Sequence, residues 1–244
     1  PSEATAVLSR ILGSEDEIGA EVEATRSSSG EDNGKWSDLL KPGILVAVLA
    51  GCAIAILGQF MGVNAVLYYG PKIFSEAGFD NPMFSTVLVG LVNFATTILA
   101  VFIIDRVGRK QLIYWGVSGM IICLMAIGIY FATGGALGNG FMLAFFLAYV
   151  FCCAISISAI VFVLLSEMYP NSIRGRAMSL AGFMLWVGTY LVGQLTPVLL
   201  EWSQAGTFFI FAVMCVPYML IMWKVIPETT GKTLEEIEEY WTKR

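Results

Sequence analysis

The sequence predicts an all-α integral membrane protein of six transmembrane helices, with short helices on the cytoplasmic side. Three observations carry that prediction. Hydrophobic residues make up 57% of the chain and charged residues 14%, with a mean hydropathy of +0.75, whereas soluble domains carry about 25% charged residues. The charged side chains are absent from six windows, 44–69, 85–104, 112–132, 141–165, 178–200 and 207–223. The basic residues between those windows fall almost entirely on one side of the membrane.

Residues 1–41 are polar and rich in Ser, Glu and Asp, with a Ser-Ser-Ser-Gly-Glu-Asp-Asn-Gly run at 27–34 that reads as a loop. Short helices are expected on either side of it, because Ala4, Val7, Leu8 and Ile11 recur at helical spacing, as do Ile18 and Val22. The chain opens at Pro1 with neither an initiator methionine nor a signal peptide, so a longer parent chain is expected.

The six-helix unit then occupies 42–226. About 20 apolar residues rising roughly 1.5 Å each cross a hydrocarbon core of about 30 Å. Every window reaches that length except the last, which extends through Val225 and Ile226. Tyr69-Gly70-Pro71 reads as the end of the first helix. Pro227 closes the sixth span and opens a tail over 227–244, in which Thr233 caps an amphipathic helix carrying Leu234, Ile237 and Tyr240, with Glu236 at the capping-box position.

Lysine and arginine are retained on the cytoplasmic side near span ends. With the amino-terminal segment inside, Arg10, Arg26, Lys35, Lys41, Arg106, Arg109, Lys110, Arg174, Arg176, Lys224, Lys232, Lys243 and Arg244 share that face, and Lys72 alone lies opposite. Both termini are therefore expected in the cytoplasm. All five cysteines, Cys52, Cys123, Cys152, Cys153 and Cys215, lie in apolar windows, and the chain has no histidine. Neither a metal site nor a disulfide framework is expected from that pattern.

Four motifs carry a resemblance. They are Gly58-Gln59-Phe60-Met61-Gly62-Val63-Asn64-Ala65-Val66-Leu67-Tyr68-Tyr69, Asp105-Arg106-Val107-Gly108-Arg109-Lys110, Ser166-Glu167-Met168-Tyr169-Pro170-Asn171-Ser172-Ile173-Arg174-Gly175-Arg176, and Pro227-Glu228-Thr229-Thr230-Gly231-Lys232-Thr233. In order and spacing the chain resembles the sugar porters of the major facilitator superfamily, along nearly its whole length. That superfamily is built from two six-helix halves with substrate held between them near the bilayer midplane. The resemblance makes this chain the C-terminal half, and residues 1–41 the end of the cytoplasmic linker between halves.

Gln59, Asn64 and Asn93 are amides inside hydrocarbon, where an unpartnered polar group costs roughly 2 to 7 kcal/mol. They read either as interhelical hydrogen-bond partners or as sugar contacts, since an amide both donates to and accepts from a hydroxyl. The resemblance matches all three to sugar-contacting positions and draws Tyr68, Phe162 and Trp186 towards the site as aromatic walls. Gly58 stands where the family has the first glutamine of a pair, Phe162 where it has tryptophan, and Leu185 where it often has an amide. Gly58 and Gly62 also form a GxxxG pair, which reads as close helix packing. Asp105, Arg106, Arg109, Glu167, Arg174 and Glu228 match the family's cytoplasmic salt-bridge network, a gate that shuts when the carrier faces outward. Composition by itself reads them as basic residues retained inside the cell and as solvated loops. Lys110 replaces a common arginine and loses its forked geometry.

The expected function is transport of a monosaccharide or related polyol by alternating access. A transporter-like sugar sensor is the alternative, although residues 234–244 are too few for a signalling domain. An enzyme is not expected, because the spans hold no ionisable side chains besides cysteine and tyrosine. No cofactor is expected either. Proton coupling would need a titrating group from the N-terminal half, since no carboxylate lies in these spans. The expected partners are the sugar, the lipid bilayer of the cell membrane and that missing half, with no nucleic acid. In an otherwise cysteine-free full-length protein, Ser75→Cys should react with an impermeant thiol reagent added to intact cells, and Ser172→Cys should not. Labelling at Ser172 without labelling at Ser75 would overturn the orientation.

Overall fold

The computed structural model describes residues 35–242 together with Ser9, Ser14, Ile18 and Gly19. The helices expected around residues 4–11 and 18–22 otherwise lie outside the described residues. Among those described, six helices are long and apolar enough to cross a membrane, and there is no strand. A short 3-10 turn, Trp36–Leu40, precedes them and buries Leu39.

The first span is two helices, α1 (Ile44–Phe60) and α2 (Val63–Glu76). The others are α3 (Pro82–Val107), α4 (Arg109–Ala132), α5 (Asn139–Cys153) continued through a π turn (Ala154–Ser158) into α6 (Ala159–Met168), α7 (Arg174–Trp202) and α8 (Gln204–Lys224). Each overruns its charge-free window, because helices continue through the headgroup layer where polar side chains reach water. The principal packing pairs are α1 with α7, α4 with α8 and α4 with α5. Large side chains of α3, among them Leu91, Phe94, Val101 and Phe102, stay exposed.

Gly70-Pro71 does not end the first helix. Helix α2 runs through Pro71 to Glu76, and the interruption falls at Met61-Gly62 instead. Proline removes one hydrogen bond, which a membrane helix can absorb. Gly62 adopts φ 91°, in the left-handed region, and that stops a right-handed helix outright. A Cβ at Gly62 would also lie 2.5 Å from the Phe211 ring of α8. The GxxxG pair is therefore split: Gly62 makes the break and the close contact, while a Cβ on buried Gly58 would stand 3.4 Å from Ile157 and 3.8 Å from Tyr218.

A break inside lipid leaves backbone groups that water cannot reach. The Tyr149 hydroxyl of α5 donates to the Met61 carbonyl at 2.7 Å, fully buried, and the Gly62 amide turns back to the Gln59 carbonyl at 3.1 Å. Pro197 poses the same problem in α7, since it lacks the N–H that would bond the Gly193 carbonyl. Tyr69 of α2 donates to that carbonyl at 2.7 Å. The π turn is pinned by Ser156, whose hydroxyl donates to the Cys152 carbonyl at 2.6 Å. Gly116 of α4 gives it room, since a Cβ there would come within 2.2 Å of the Ser156 oxygen.

The tail forms α9 (Leu234–Thr242), opened by the reciprocal Thr233 and Glu236 bonds of a capping box at 3.2 and 3.3 Å. It buries Ile237 and Trp241 and packs on α6 and α1. At the opposite end of the bundle Lys72 stands 3.8 Å from Glu76 and 3.9 Å from Glu201, and Gln204 donates to Glu76 at 2.7 Å.

Two tyrosines separate hydrogen bonding from packing. Tyr149→Phe in the full-length protein leaves the Met61 carbonyl buried without a donor and should cost about 1 to 3 kcal/mol. The Tyr218 hydroxyl is buried with no partner among the described residues, so Tyr218→Phe should be neutral or stabilising. Thermal unfolding in detergent measures both. Equal losses for the two variants would mean that the bond at the break does not stabilise it.

Candidate functional site

The break brings three polar side chains together. Gln59 lies in the last turn of α1 and Asn64 in the first turn of α2, while Thr189 faces both from α7. The Asn64 amide donates to Gln59 Oε1 at 2.7 Å and approaches the Thr189 hydroxyl at 3.5 Å. The Thr189 hydroxyl has one hydrogen to give, to Gln59 Oε1 at 3.1 Å or to the Leu185 carbonyl at 3.0 Å. Gly188 lets α7 come this close to α1, since a Cβ there would lie 3.1 Å from the Cβ of Gln59.

The cluster uses the acceptor of Gln59 and the N–H donors of Asn64, one of them in the long 3.5 Å contact to Thr189. The Gln59 amide nitrogen and the Asn64 side-chain oxygen stay unengaged among the described residues. Both residues are half-buried. A ligand hydroxyl meeting them finds donors and an acceptor already fixed in orientation.

Asn93 of α3 is half-buried in a neighbouring gap of about 10 Å³, with Val63, Leu67, Tyr149, Val150 and Cys153 around it. No hydrogen bond among the described residues joins it to the Gln59–Asn64–Thr189 cluster. Tyr68, Phe162 and Trp186 are 57%, 50% and 68% exposed, so their rings present open faces rather than filling the core. Leu185 contributes its carbonyl to Thr189.

At the end of the bundle remote from Lys72, Arg109 Nη2 meets Glu167 Oε1 at 2.9 Å and its Nε meets the same oxygen at 3.2 Å. The other oxygen of Glu167 accepts from Thr229 at 2.5 Å. The Arg109 backbone N–H donates to Thr230 at 3.2 Å, and the Glu228 carboxylate accepts from the amides of Thr229 and Thr230 at 3.1 and 3.2 Å. Glu228 thus shapes the loop that delivers Thr229 to Glu167. Arg174 does not join Glu167. Its guanidinium grips the Tyr169 carbonyl with two bonds of 3.3 Å, because the turn at Pro170 leaves that carbonyl beyond the end of α6. Arg106 is exposed, and the side chain of Asp105 lies outside the described residues. Lys110 reaches the Trp223 carbonyl at 3.5 Å.

Residues 1–241 match the family model for sugar (and other) transporters. The chain belongs to that sugar transporter family. It is 37% identical to the arabinose-proton symporter of Bacillus subtilis (strain 168), over 99% of this chain and 53% of that protein. It is 36% identical to the D-xylose-proton symporter of Escherichia coli (strain K12), over 98% and 50%, and 34% identical to the glucose facilitated diffusion protein of Zymomonas mobilis, over 98% and 52%. The solved proton:xylose symporter XylE bound to 6-bromo-6-deoxy-D-glucose superposes with a TM-score of 0.77 at 32% identity, over 98% of this chain and 52% of that one. Inward open XylE from E. coli gives 0.75 at 33%, over 99% and 50%. The chain spans about half the length of the sugar transporters it matches, and its fold is that of a six-helix half of a major facilitator superfamily protein, the C-terminal one.

Thr189, Tyr149 and Thr229 are the polar partners that sequence reasoning missed. Thr229 lies inside a quoted motif, whereas nothing in hydrophobic periodicity distinguishes Thr189 or Tyr149. Arg109 and Glu167 are 13% and 24% exposed, so deleting Arg109 leaves a partly buried carboxylate without its guanidinium. Arg109→Met in the full-length protein should cost about 2 kcal/mol, within the range for hydrogen bonds to charged groups. Arg109→Lys should recover only part, having lost the fork. Denaturation by heat measures both, and full recovery by lysine would reduce the interaction to a point-charge contact.

Proposed function

We propose that this chain supplies the C-terminal half of the cavity and gates of a membrane carrier that moves a monosaccharide or related polyol by alternating access. The observation that carries the reading is the pair of amides at the break. Gln59 and Asn64 hold each other in place through one donor and one acceptor and keep the Gln59 amide nitrogen and the Asn64 side-chain oxygen open. Sugar hydroxyls need such mixed donors and acceptors. The exposed rings of Tyr68 and Trp186 offer apolar walls of the kind that pack on the C–H face of a pyranose.

A second six-helix half completes the cavity, and both termini of this chain lie in the cytoplasm. The Arg109–Glu167–Thr229 cluster stiffens the cytoplasmic end of α6, which gives the other half a fixed surface to close against. A contact made in only one state shifts the balance between states by its differential free energy. Any proton coupling enters through the other half, because the six charge-free windows within the spans hold no carboxylate. The matched relatives include both proton symporters and a facilitated-diffusion protein.

In the full-length carrier, Gln59→Ala and Asn64→Ala should each weaken sugar binding by about 1 to 3 kcal/mol, the range for leaving a buried partner unsatisfied. That corresponds to about five- to 150-fold in Kd. Asn93→Ala should do less, because it occupies the neighbouring gap. Calorimetry with D-xylose, D-glucose and arabinose reads the affinities. Should both amide variants keep wild-type affinity and lose thermal stability, the amides are interhelical glue and the site lies elsewhere.

A further inference from the structure

Behind the amide cluster the bundle carries a groove of about 310 Å³ between α1, α7 and α8. Its walls are Leu57 and Phe60 from the end of α1, Leu195 and Leu199 from α7, and Phe211 and Met214 from α8. The volume is about ten times the share of one water molecule in the liquid, roughly 30 Å³. The one polar side chain at its edge, Thr196, spends its hydroxyl on the Val192 carbonyl at 2.6 Å. Water entering the groove would find none of the two to four polar partners it needs, and a sugar would find no hydrogen bonds.

The groove opens away from the candidate sugar site. At about 100° per residue, Leu195 and Leu199 lie roughly opposite Trp186 and Tyr190 around the axis of α7. Along the axis, Leu195 lies about 10 Å past the middle residue of α7, towards the end that carries Lys72 and Glu201, at a rise of about 1.5 Å per residue. That depth is within a hydrocarbon core about 30 Å thick. The apolar matter in contact with an outer face at that depth is lipid chain.

We propose that this groove is a binding site for one acyl chain of a bilayer phospholipid, from the leaflet on the Lys72 side. The chain lies against Leu195, Leu199 and Met214 and reaches Phe60 and Phe211 at its inner end. Phe211 is the ring that fills the space a Cβ would take at Gly62. A chain seated against Phe211 therefore presses that ring onto the α1–α2 break and restrains it. The lipid thus stiffens the hinge that carries Gln59 and Asn64, from the side the sugar does not touch.

The test uses the full-length carrier in nanodiscs containing phosphatidylcholine with a diazirine on one acyl chain. Cross-links mapped by mass spectrometry should concentrate at least about five-fold on peptides holding Leu195, Leu199 and Met214, relative to the α4 peptide holding Ile122, which is 65% exposed. Leu195→Trp and Met214→Trp fill the groove and should remove that excess, whereas Ile122→Trp should not. Hydrogen exchange of the amides of residues 61–66 should be slower in nanodiscs than in a short-chain detergent, and in detergent the groove-filling variants should reproduce the slowing. Cross-links spread over α4, α7 and α8 in proportion to exposure would overturn the site. Focused cross-links with unchanged exchange at 61–66 would overturn its action on the hinge. Loss of sugar binding in the amide variants is independent of either outcome.

Discussion

No water reaches the backbone between lipid chains, so every interruption of a helix there must be satisfied by another side chain. That requirement organises this half-bundle. The positive φ of Gly62 ends α1 in the middle of a span, and the Met61 carbonyl that results is met by Tyr149 at 2.7 Å. Tyr149 can reach because α5 runs close behind the break. The cost of an unmet buried carbonyl, about 1 to 3 kcal/mol, makes α5 part of the first span's structure rather than a neighbour of it. The same reasoning joins α2 to α7, where Pro197 strands a carbonyl that Tyr69 takes up. Two tyrosines thus fix the two halves of the broken span to different helices, and the amides on either side of the break inherit their positions.

The two polar regions of the chain are built in opposite ways. In the Arg109 cluster both oxygens of Glu167 are engaged, by Arg109 and by Thr229, and one oxygen of Glu228 holds the loop. Glu167 has neither oxygen left over. At the break, Gln59 and Asn64 satisfy each other only in part. Complete mutual satisfaction would make ligand binding exchange good bonds for equal ones, and isolation would charge the empty state the full burial penalty. Partial pairing orients the groups and still leaves a gain on binding.

Much of this was legible in the sequence, and the exceptions have a common cause. Charge-free windows located all six spans, because excluding Asp, Glu, Lys and Arg from hydrocarbon is a one-residue property. The capping box at Thr233 and Glu236 was equally readable, being local in sequence. Gly62 was not, since a glycine chosen for close packing and one chosen for positive φ look alike until the backbone is seen. The reading of Gly70-Pro71 as a helix end failed for a related reason, as a proline in a membrane helix costs one bond and neighbours absorb it. Thr189 is separated from Gln59 by three whole spans, and Arg174, matched to the salt-bridge network by resemblance, turns instead to the Tyr169 carbonyl.

The departures from the family pattern gain a physical meaning once their surroundings are known. Gly58 is buried with Ile157 and Tyr218 nearest the direction a side chain would take, so the space a glutamine would claim is already walled by the π turn and α8. Leu185 offers no side-chain hydrogen bond, yet its carbonyl shares the Thr189 hydroxyl with Gln59. Polarity withdrawn from two side chains is thus concentrated on Gln59, Asn64 and Thr189. A site with fewer, mutually oriented polar groups discriminates among ligands mainly by the hydroxyl that meets them, because a ligand lacking that hydroxyl leaves an amide buried and unmet. Ligand positions facing the apolar walls are read only by shape, where one methylene changes affinity by about 1 to 3 kcal/mol. Under the proposed function, selectivity in this half of the cavity would rest on one edge of the sugar, with the remainder of the ligand left to the aromatic faces and to the opposing half.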